Sequence, residues 1–447
     1  MNSPVVHHLA TTTIKARHIS EETHQRCELA PWDVAMLSAH YIQKGFVFHR
    51  PPSSQSQEKI MDRLKDSLAA VLVYFYPLAG RLSTERDSHT SSSHVFIDCN
   101  NAGAEFIHAA VDITVADVLT PVDVPPVVKS FFTLSEAVNH DGHVLPLLSV
   151  QFTELTDGVF LGCSFNHVVG DGTSFWRFLN AWSEISRSQG GIGHISHPPV
   201  IQRCFLDVDK SLVRLPFSNP DEFIERYETP PLRERIFHFA PKAIAQLKSK
   251  ANNECKTDKI SSFQALCAHV WRSIIRARCF PVDQKTSCRL AIENRSRLQP
   301  PLSPDYFGNC INAIIATASV GDLLSHDLGW AALLLHKNVA AHNDGVVRGT
   351  IKEWVMAPMV YHLSGFDRYS VMVGSSPRFD MYCNDFGWGK PLGLRSGYAN
   401  KFDGKVSSYP GREGGGSVDL EICLPTESMS ALESDGDFMD AVSPLVL

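Results

Sequence analysis

Residues 159–175 read VFLGCSFNHVVGDGTSF, and this stretch predicts a strand, a turn and a helix around a single histidine. Apolar residues stand at every second position from Val159 to Phe165, which is the period of a half-buried β-strand. His167 continues the same parity, so we expect its imidazole to point inward from the strand end. Asp171 follows with a glycine on each side, which favours a short turn.

The elements on both sides of this turn can be predicted as well. Alternating apolar residues between Leu147 and Phe152 predict a preceding strand, and the sequence TDG at 156–158 predicts a tight hairpin between the two strands. After the turn, apolar residues recur at helical spacing from Phe175 to Ile185. Asp171 or Thr173 can cap the first turn of this predicted helix.

His167 is compatible with several roles when its neighbours alone are considered. A metal site is disfavoured, because the glycines beside Asp171 weaken a shared helix face and no Cys or His partners stand at ligand spacing. A buried, hydrogen-bonded core histidine with Asp171 as a helix cap remains open. A general base at a rigidly held turn is the alternative with chemical consequences.

Composition excludes several classes of protein. The 447 residues are 44% hydrophobic, which favours two domain cores over one. The net charge is −7 and basic residues form no long run, so nucleic acid and anionic membranes are not expected partners. Residues 1–20 lack the apolar core of a signal peptide, and no stretch of about 18 apolar residues occurs. We expect a soluble, cytoplasmic protein with a small-molecule partner.

The eleven cysteines form no CxxC pair and are odd in number. They are expected to be small buried hydrophobic residues rather than disulfide or zinc partners. A Cys/His enzyme is disfavoured, because Cys163 and His167 lie on one strand face about 13 Å apart.

The mixture of strand and helix signals predicts an α/β protein with two domains. Between residues 188 and 231 the periodicity fades and Gly, Pro, Ser and charged residues dominate, which is typical of a long connection. We expect an N-terminal domain at 1–190, a crossover at 191–235 and a C-terminal domain at 236–447. The second domain begins with a strand near Phe237 and a helix opened by Ser261.

A second motif, NDFGWGKP, lies at residues 384–391. Glycines between aromatic residues, closed by a proline, suit a backbone bend packed closely against another element. A structural role is therefore favoured, in which Asp385 holds a turn or pairs with an arginine and Trp388 fills core.

The chain resembles the plant BAHD family of acyl-CoA-dependent acyltransferases, whose marks are an HxxxD motif in mid-chain and a DFGWG motif near the C-terminus. These motifs stand here at 167–171 and 385–389. Further segments in the family's order are PWD at 31–33, YPLAGR at 76–81, RSRL at 295–298 and YFGN at 306–309. Within the family, the chain looks closest to an acetyltransferase-like branch.

This resemblance implies a two-domain, chloramphenicol-acetyltransferase-like fold with mixed β-sheets flanked by helices and a channel between the domains. It implies acyl-CoA as a co-substrate, no permanently bound cofactor, an alcohol or amine acceptor, and a monomer. His167 would be the general base, taking the acceptor proton as the thioester is attacked. Asp171 would turn away from the channel and pair with an arginine, so that it shapes the loop that aims His167.

The resemblance also suggests roles outside the HxxxD motif. The DFGWG residues would be structural, and they are Asp385, Phe386, Gly387, Trp388 and Gly389. Candidate contacts to the CoA phosphates are a helix N-terminus and a basic pair, namely Ser261, Ser262, Arg295 and Arg297. A Thr and a Trp near the oxyanion in hydroxycinnamoyl-transferring members correspond to Gly374 and Ser376. This leaves Ser376 as an oxyanion candidate, although a turn-forming serine before Pro377 is favoured.

The expected donor is acetyl-CoA or another small acyl-CoA, and the expected acceptor is a plant specialised metabolite. Two alternatives stay open. One is a family member whose channel is redirected to lyase or condensation chemistry, and the other is a small-molecule binding protein without turnover.

Overall fold

The computed structural model describes residues 4–17, 26–51, 57–188, 195–206, 213–217 and 219–444. Within these ranges the chain forms two six-stranded mixed sheets, a small three-stranded sheet, and helices packed against them. The predicted crossover at 191–235 falls partly outside the described residues, at 191–194, 207–212 and 218.

The first half of the chain contains most of one large sheet. Its strands are β1 (His7–Ile14), β2 (Cys27–Glu28), β3 (Ile42–His49), β4 (Arg81–Asp87), β5 (Ser92–Asp98), β6 (Ala104–Ala110), β7 (Leu148–Glu154) and β8 (Gly158–Phe165). Its helices are α1 (Pro31–Val34), α2 (Gln57–Tyr74), α3 (Val115–Leu119) and α4 (Gly172–Arg187).

The second half contains a larger share of helix. Its strands are β9 (Arg233–Phe239), β10 (Lys285–Glu293), β11 (Ile311–Ser319), β12 (Val371–Gly374), β13 (Gly393–Ser396), β14 (Lys405–Pro410) and β15 (Val418–Leu424). Its helices are α5 (Pro241–Glu254), α6 (Ser262–Arg278), α7 (Val320–Ser325), α8 (Leu328–Ala341), α9 (Asp344–Met356), α10 (Thr426–Glu433) and α11 (Gly436–Met439).

The N-terminal sheet has the strand order β1-β6-β7-β8-β3-β13. β7 and β8 pair antiparallel across the turn at 155–157, as the hairpin signal predicts, and α4 begins directly after Asp171. One face of the sheet packs on α2 and α4 and forms the larger core, in which Phe165, Phe178 and Trp182 are fully buried. His167 follows β8 at the end of this packed face.

The C-terminal sheet has the strand order β11-β10-β12-β14-β15-β9. Its apolar face packs on α6, α8 and α10, with α5 against α6 and α8, and this second core includes Val406 and Ile422. The opposite face carries Lys405, Tyr409 and Glu421, because side chains alternate along each strand. This polar face lies toward the N-terminal sheet.

The mixed sheets flanked by helices confirm the predicted α/β class. The two halves of the chain are not fully separate, because β13 comes from the last quarter of the sequence and pairs antiparallel with β3. The domain boundaries near residues 190 and 236 therefore remain a proposal. In the described ranges, every helix is too short or too polar to cross a membrane.

The DFGWG segment forms a tight turn around one carboxylate. Asp385 Oδ1 accepts hydrogen bonds from the backbone N–H groups of Gly387, Trp388 and Gly389 at 2.7–3.1 Å. Gly387 and Gly389 have φ angles of 103° and 109°, a region that favours glycine. Both glycines are therefore required by the shape of the turn.

The turn places Phe386 in the N-terminal core. Its ring centroid lies 4.9 Å from that of Trp182 on α4 and 6.1 Å from that of Phe48 on β3. Its carbonyl oxygen accepts a hydrogen bond from Ser186 Oγ at 3.1 Å. The segment thus joins the C-terminal part of the chain to the helix that follows the HxxxD motif.

Replacing Phe386 by alanine should lower the free energy of unfolding by about 3–5 kcal/mol, because a fully buried aromatic ring leaves a cavity that the neighbouring rings cannot fill. Urea denaturation followed by fluorescence measures the loss. Met356→Ala is the control, since Met356 is 87% exposed and should change stability by no more than about 0.5 kcal/mol. Equal effects of the two substitutions would contradict the packing role of Phe386.

Candidate active site

His167 lies in the turn between β8 and α4 and is held there by its backbone. Its N–H donates to Asn139 Oδ1 at 2.8 Å, and the fully buried Asn139 also donates from Nδ2 to the carbonyl oxygen of Met36 at 2.8 Å. The neighbouring residues Asn166 and Val168 are buried, whereas His167 itself is half-buried. The imidazole is therefore fixed at its base and retains accessible surface.

Asn309 fixes the tautomer of the His167 ring. Asn309 Nδ2 donates to Asp33 Oδ1 at 2.9 Å and to the carbonyl oxygen of His167 at 2.7 Å, so its Oδ1 is the acceptor end of the amide. His167 Nδ1 lies 3.1 Å from that Oδ1 and must carry the hydrogen. The network thus assigns the lone pair of the neutral ring to Nε2.

Asp33 supports Asn309 from inside the protein. Its Oδ1 accepts from the backbone N–H of Asn309 at 2.9 Å as well as from Nδ2, and its Oδ2 lies 3.4 Å from Nε of Arg203. Asp33 is fully buried. Burial raises the pKa of Asp33, and the Arg203 charge opposes that rise.

Arg203 links the crossover region to the loops on both sides of the site. Its guanidinium donates to the carbonyl oxygen of Val169 at 2.8 Å and also to that of Phe307. A residue of the connection between the two halves therefore fastens the HxxxD turn to the loop that carries Asn309.

Asp171 forms a bidentate ion pair with Arg295 and does not contact the His167 ring. Its carboxylate oxygens lie 2.8 Å from Nη1 and 3.0 Å from Nη2 of Arg295. They also accept from the N–H groups of Ser174 at 3.0 Å and Cys310 at 2.9 Å. Burial opposes ionisation, but Arg295 and these donors hold the pKa of Asp171 below its usual value. Asp171 therefore shapes the turn and caps α4.

Arg295 and Arg297, the two expected contacts for CoA phosphates, both donate hydrogen bonds to groups of the protein itself. Arg295 is 3% exposed, and besides Asp171 it donates to the carbonyl oxygens of Tyr306 and Gly308. Arg297 donates to the carbonyl oxygens of Val339 and His342 at the end of α8. The expectation that Arg295 meets a CoA phosphate needs correction, because its donors are already used inside the protein. For Arg297 the phosphate role remains a prediction.

The other two groups of candidates stay predictions. Ser261 caps α6 by accepting from the N–H of Gln264 at 3.2 Å, and Ser262 is exposed at the same helix N-terminus. Ser376 Oγ accepts from the N–H of Arg378 at 3.2 Å, which is the geometry of a turn-forming serine. Among the described residues, none of these three serines makes a hydrogen bond with His167.

Burial lowers the pKa of His167 below its ordinary value of 6.5. The positive charge of Lys405 on β14 lowers it further, whereas Asp171 and the hydrogen bond to Asn309 raise it. Because the net shift of the His167 pKa is downward, the ring is neutral at physiological pH. A neutral imidazole with a free Nε2 lone pair can accept a proton from a bound hydroxyl or amine.

Sequence reasoning missed the residues that orient the imidazole. Asn309, Asp33 and Arg203 were not recognised as members of the site, although the segments PWD at 31–33 and YFGN at 306–309 were noticed. For Asp33 and Asn309, the signal in the sequence is a carboxylate and an amide embedded in otherwise apolar or glycine-containing segments. Nothing in the sequence near Arg203 marks it in this way.

Comparisons with known proteins give a consistent result over the whole chain. The model of the Transferase family matches residues 5–439. An uncharacterized acetyltransferase of Arabidopsis thaliana is 34% identical over 97% of this chain and 98% of its own length. The BAHD acyltransferase DCR of the same species is 35% identical over 92% of this chain and 88% of its own length.

A solved structure has the same fold. F. sporotrichioides TRI101, crystallised with coenzyme A and T-2, superposes with a TM-score of 0.72 at 19% identity and covers 94% of this chain and 100% of that one. This similarity confirms the predicted two-domain, chloramphenicol-acetyltransferase-like architecture.

Replacing Asp171 by alanine should lower the free energy of unfolding by about 3–5 kcal/mol, because it leaves the Arg295 guanidinium buried without its counter-charge. Thermal and urea denaturation measure the loss. Asp66→Ala is the control, since Asp66 is 75% exposed and 3.6 Å from Arg17, a surface pair expected to contribute about 0–1 kcal/mol. An Asp171→Ala protein as stable as the wild type would contradict the structural role of this carboxylate.

The His167 ring should titrate with a midpoint below pH 6.5 and should carry its hydrogen on Nδ1 when neutral. Nitrogen-15 NMR of histidine side chains, with the His167 signal identified by its absence from His167→Gln, measures both properties. Since a lowered pKa means that the neutral form persists to lower pH, the ring should be mostly unprotonated at pH 6.5. A midpoint above 6.5, or a hydrogen on Nε2, would refute the orientation described here.

Proposed function

This chain belongs to the BAHD acyltransferases of the Transferase family, and we propose that His167 is the general base with which it transfers an acyl group from acyl-CoA to an alcohol or amine. The acceptor is proposed to be a small plant specialised metabolite. The observation that carries the proposal is the hydrogen bond from His167 Nδ1 to Asn309, because it leaves Nε2 free to accept a proton.

The proposed reaction needs no covalent enzyme intermediate. Nε2 of His167 removes the proton of the acceptor hydroxyl or amine while that oxygen or nitrogen attacks the thioester carbonyl. The carbonyl becomes a tetrahedral oxyanion, which collapses and breaks the carbon–sulfur bond. The imidazolium then returns the proton to the departing CoA thiolate, so the products are acylated acceptor and free CoA.

Two similarities support the proposed donor. The F. sporotrichioides structure with the same fold was solved with coenzyme A, which supports acyl-CoA as the co-substrate. The 34% identical relative is named an acetyltransferase, which supports acetyl or another small acyl group. The exposed N-terminus of α6 at Ser262 is a proposed contact for CoA phosphate, since helix N–H groups attract anions. A cytoplasmic, monomeric state is part of the same proposal.

The contacts of Asp171 support a positioning role for it in the proposed reaction. A catalytic-triad carboxylate would bond to the histidine ring, whereas Asp171 bonds to Arg295, Ser174 and Cys310. The backbone turn that carries His167 is therefore held rigidly, which fixes the distance between the base and the two substrates.

Incubation of the purified protein with a panel of acyl-CoAs and plant alcohols and amines, followed by mass spectrometry, should yield free CoA and an acceptor heavier by one acyl group. His167→Ala and His167→Gln should lower kcat/KM by about a hundred- to ten-thousand-fold, the usual contribution of a general base, while remaining folded. His89→Ala is the matched control, because His89 is exposed in a loop and should leave activity unchanged.

The other outcomes of this experiment separate the competing functions. A product formed without CoA release would indicate lyase or condensation chemistry in the same channel. Protection from thermal unfolding without any product would indicate a binding protein. Transfer that survives both His167 substitutions would refute the role of the imidazole while leaving the family assignment intact.

A further inference from the structure

Three lysines, one buried and two half-buried, lie where the two large sheets meet. We name Lys44 on β3, Lys401 before β14 and Lys405 on β14 the lysine cluster. Lys44 Nζ lies 2.7 Å from the Tyr409 hydroxyl, which connects β3 of the N-terminal sheet to β14 of the C-terminal sheet. The cluster therefore occupies the region where the two halves of the chain meet.

Lys401 is fully compensated by carboxylates. Its ammonium contacts Glu421 and lies 3.0 Å from Glu234 and 2.7 Å from Ser396 Oγ. Lys401, Glu234 and Glu421 are all at most 6% exposed. Glu234, Glu421 and Cys423 stand close enough together to hold a metal ion, but the two carboxylates are already balanced by Lys401 and by Lys129, whose Nζ lies 3.3 Å from Glu234. The group is thus an internal ion pair network.

Lys405 has no such partner. In the described residues, its Nζ makes no hydrogen bond or ion pair, and it lies over the Phe402 ring at 5.6 Å from the ring centroid. Lys405 is half-buried, so part of it remains accessible. An ammonium removed from most of its water is costly unless an anion meets it. The structure supplies that anion to Lys401 and not to Lys405.

The backbone beside Lys405 leaves space for its ammonium. Gly374 ends β12, the neighbouring strand, and a Cβ atom placed on it would lie 2.7 Å from Lys405 Nζ. Any other residue at this position would displace the ammonium. The glycine keeps the Lys405 head at the strand end, immediately before Ser375 and Ser376.

Lys405 also belongs to the surroundings of the base. It stands on the face of β14 that is directed toward the N-terminal half, and its charge is close enough to lower the pKa of His167. A substrate bound at His167 is therefore within the field of an uncompensated cation.

We propose that Lys405 binds a carboxylate of the substrate that reacts at His167, so that the enzyme prefers an acidic acyl group or an acidic acceptor over its neutral analogue. This inference rests on the proposed acyl transfer and specifies that one of its two substrates carries a carboxylate. The carboxylate replaces the partner that Lys405 lacks, with Gly374 providing the space in which the two charges meet.

The titration of Lys405 supports this role. Burial and the charges of Lys44 and Lys401 lower the pKa of Lys405 to about 8, whereas Cys423 raises it. The titratable groups that act on Lys405 are Lys44 on β3, Lys401 before β14 and Cys423 on β15, and Lys405 acts in turn on His167. Because a lysine loses its charge as pH rises through its pKa, the preference for acidic substrates should decline between pH 7 and pH 9.5.

The carboxylate has two possible sources, and paired probes separate them. In the donor arm, calorimetry compares malonyl-CoA with acetyl-CoA, which differ by the carboxylate alone. In the acceptor arm, the binding of 3-hydroxybenzoate is compared with that of its methyl ester in the presence of CoA. Wild-type protein should favour the acid over the neutral probe in one arm, and that arm identifies the source.

Lys405→Met should reduce the acid-to-neutral affinity ratio in that arm by about 10- to 100-fold, the usual range for a charge-assisted pair. Lys405→Arg should retain most of the ratio because it retains the charge. Lys248→Met is the matched control, since Lys248 is exposed on α5 and its substitution removes the same charge far from the site. Circular dichroism should show that each variant is folded.

The binding readout distinguishes failure of this inference from failure of the proposed acyl transfer. His167→Gln should lower transfer by the same hundred- to ten-thousand-fold and keep the acid-to-neutral affinity ratio, whereas Lys405→Met should lose the ratio. Equal ratios in wild type and Lys405→Met, or no preference for the acid in either arm, would overturn the inference. A fall of kcat by the same factor with acidic and neutral substrates would also overturn it, since Lys405 would then act on the reacting carbonyl.

Discussion

The buried ion pair between Asp171 and Arg295 is the interaction on which the geometry of the site depends. Asp171 ends the HxxxD turn, and Arg295 follows β10 in the other half of the chain, so the pair closes a contact between residues 124 positions apart. Such a pair contributes little net stability relative to apolar packing, because two charges must leave water. Separating the two residues would leave a buried charge without its partner, which opposes any movement of the loops that carry them.

The orientation of the His167 imidazole depends on this ion pair through a short series of hydrogen bonds. Arg295 also holds the carbonyl oxygens of Tyr306 and Gly308, which fixes the loop that presents Asn309 to His167. Asp33 then fixes the amide of Asn309. Because Nδ2 of Asn309 donates to Asp33 and to the carbonyl oxygen of His167, its Oδ1 faces the ring, and the tautomer of the histidine needs no direct contact with Asp171.

The local sequence predicted the elements that depend on neighbouring residues. It did not predict the contacts between residues far apart in the chain. The strand before His167 and the cap of α4 at Asp171 follow from a period of two and from local backbone bonding, and the structure contains both. Asn309 lies 142 positions from His167, and its contact exists only after both halves have folded. Arg295 was assigned to phosphate by its charge alone, which says nothing about the carboxylate that it meets in the interior.

The electrostatics of the site suit an imidazole that holds a proton only briefly. A carboxylate bonded to the ring would stabilise the imidazolium and raise its pKa, whereas here Asp171 is directed at Arg295 and Lys405 adds a positive field. A less stable imidazolium is a stronger acid, so in the proposed reaction it returns its proton more readily to a departing thiolate, whose conjugate thiol has a pKa of about 8.5. Under the two proposals, the same positive field that destabilises the imidazolium would attract negative charge on a bound substrate, so Lys405 would serve both the proton cycle and substrate choice.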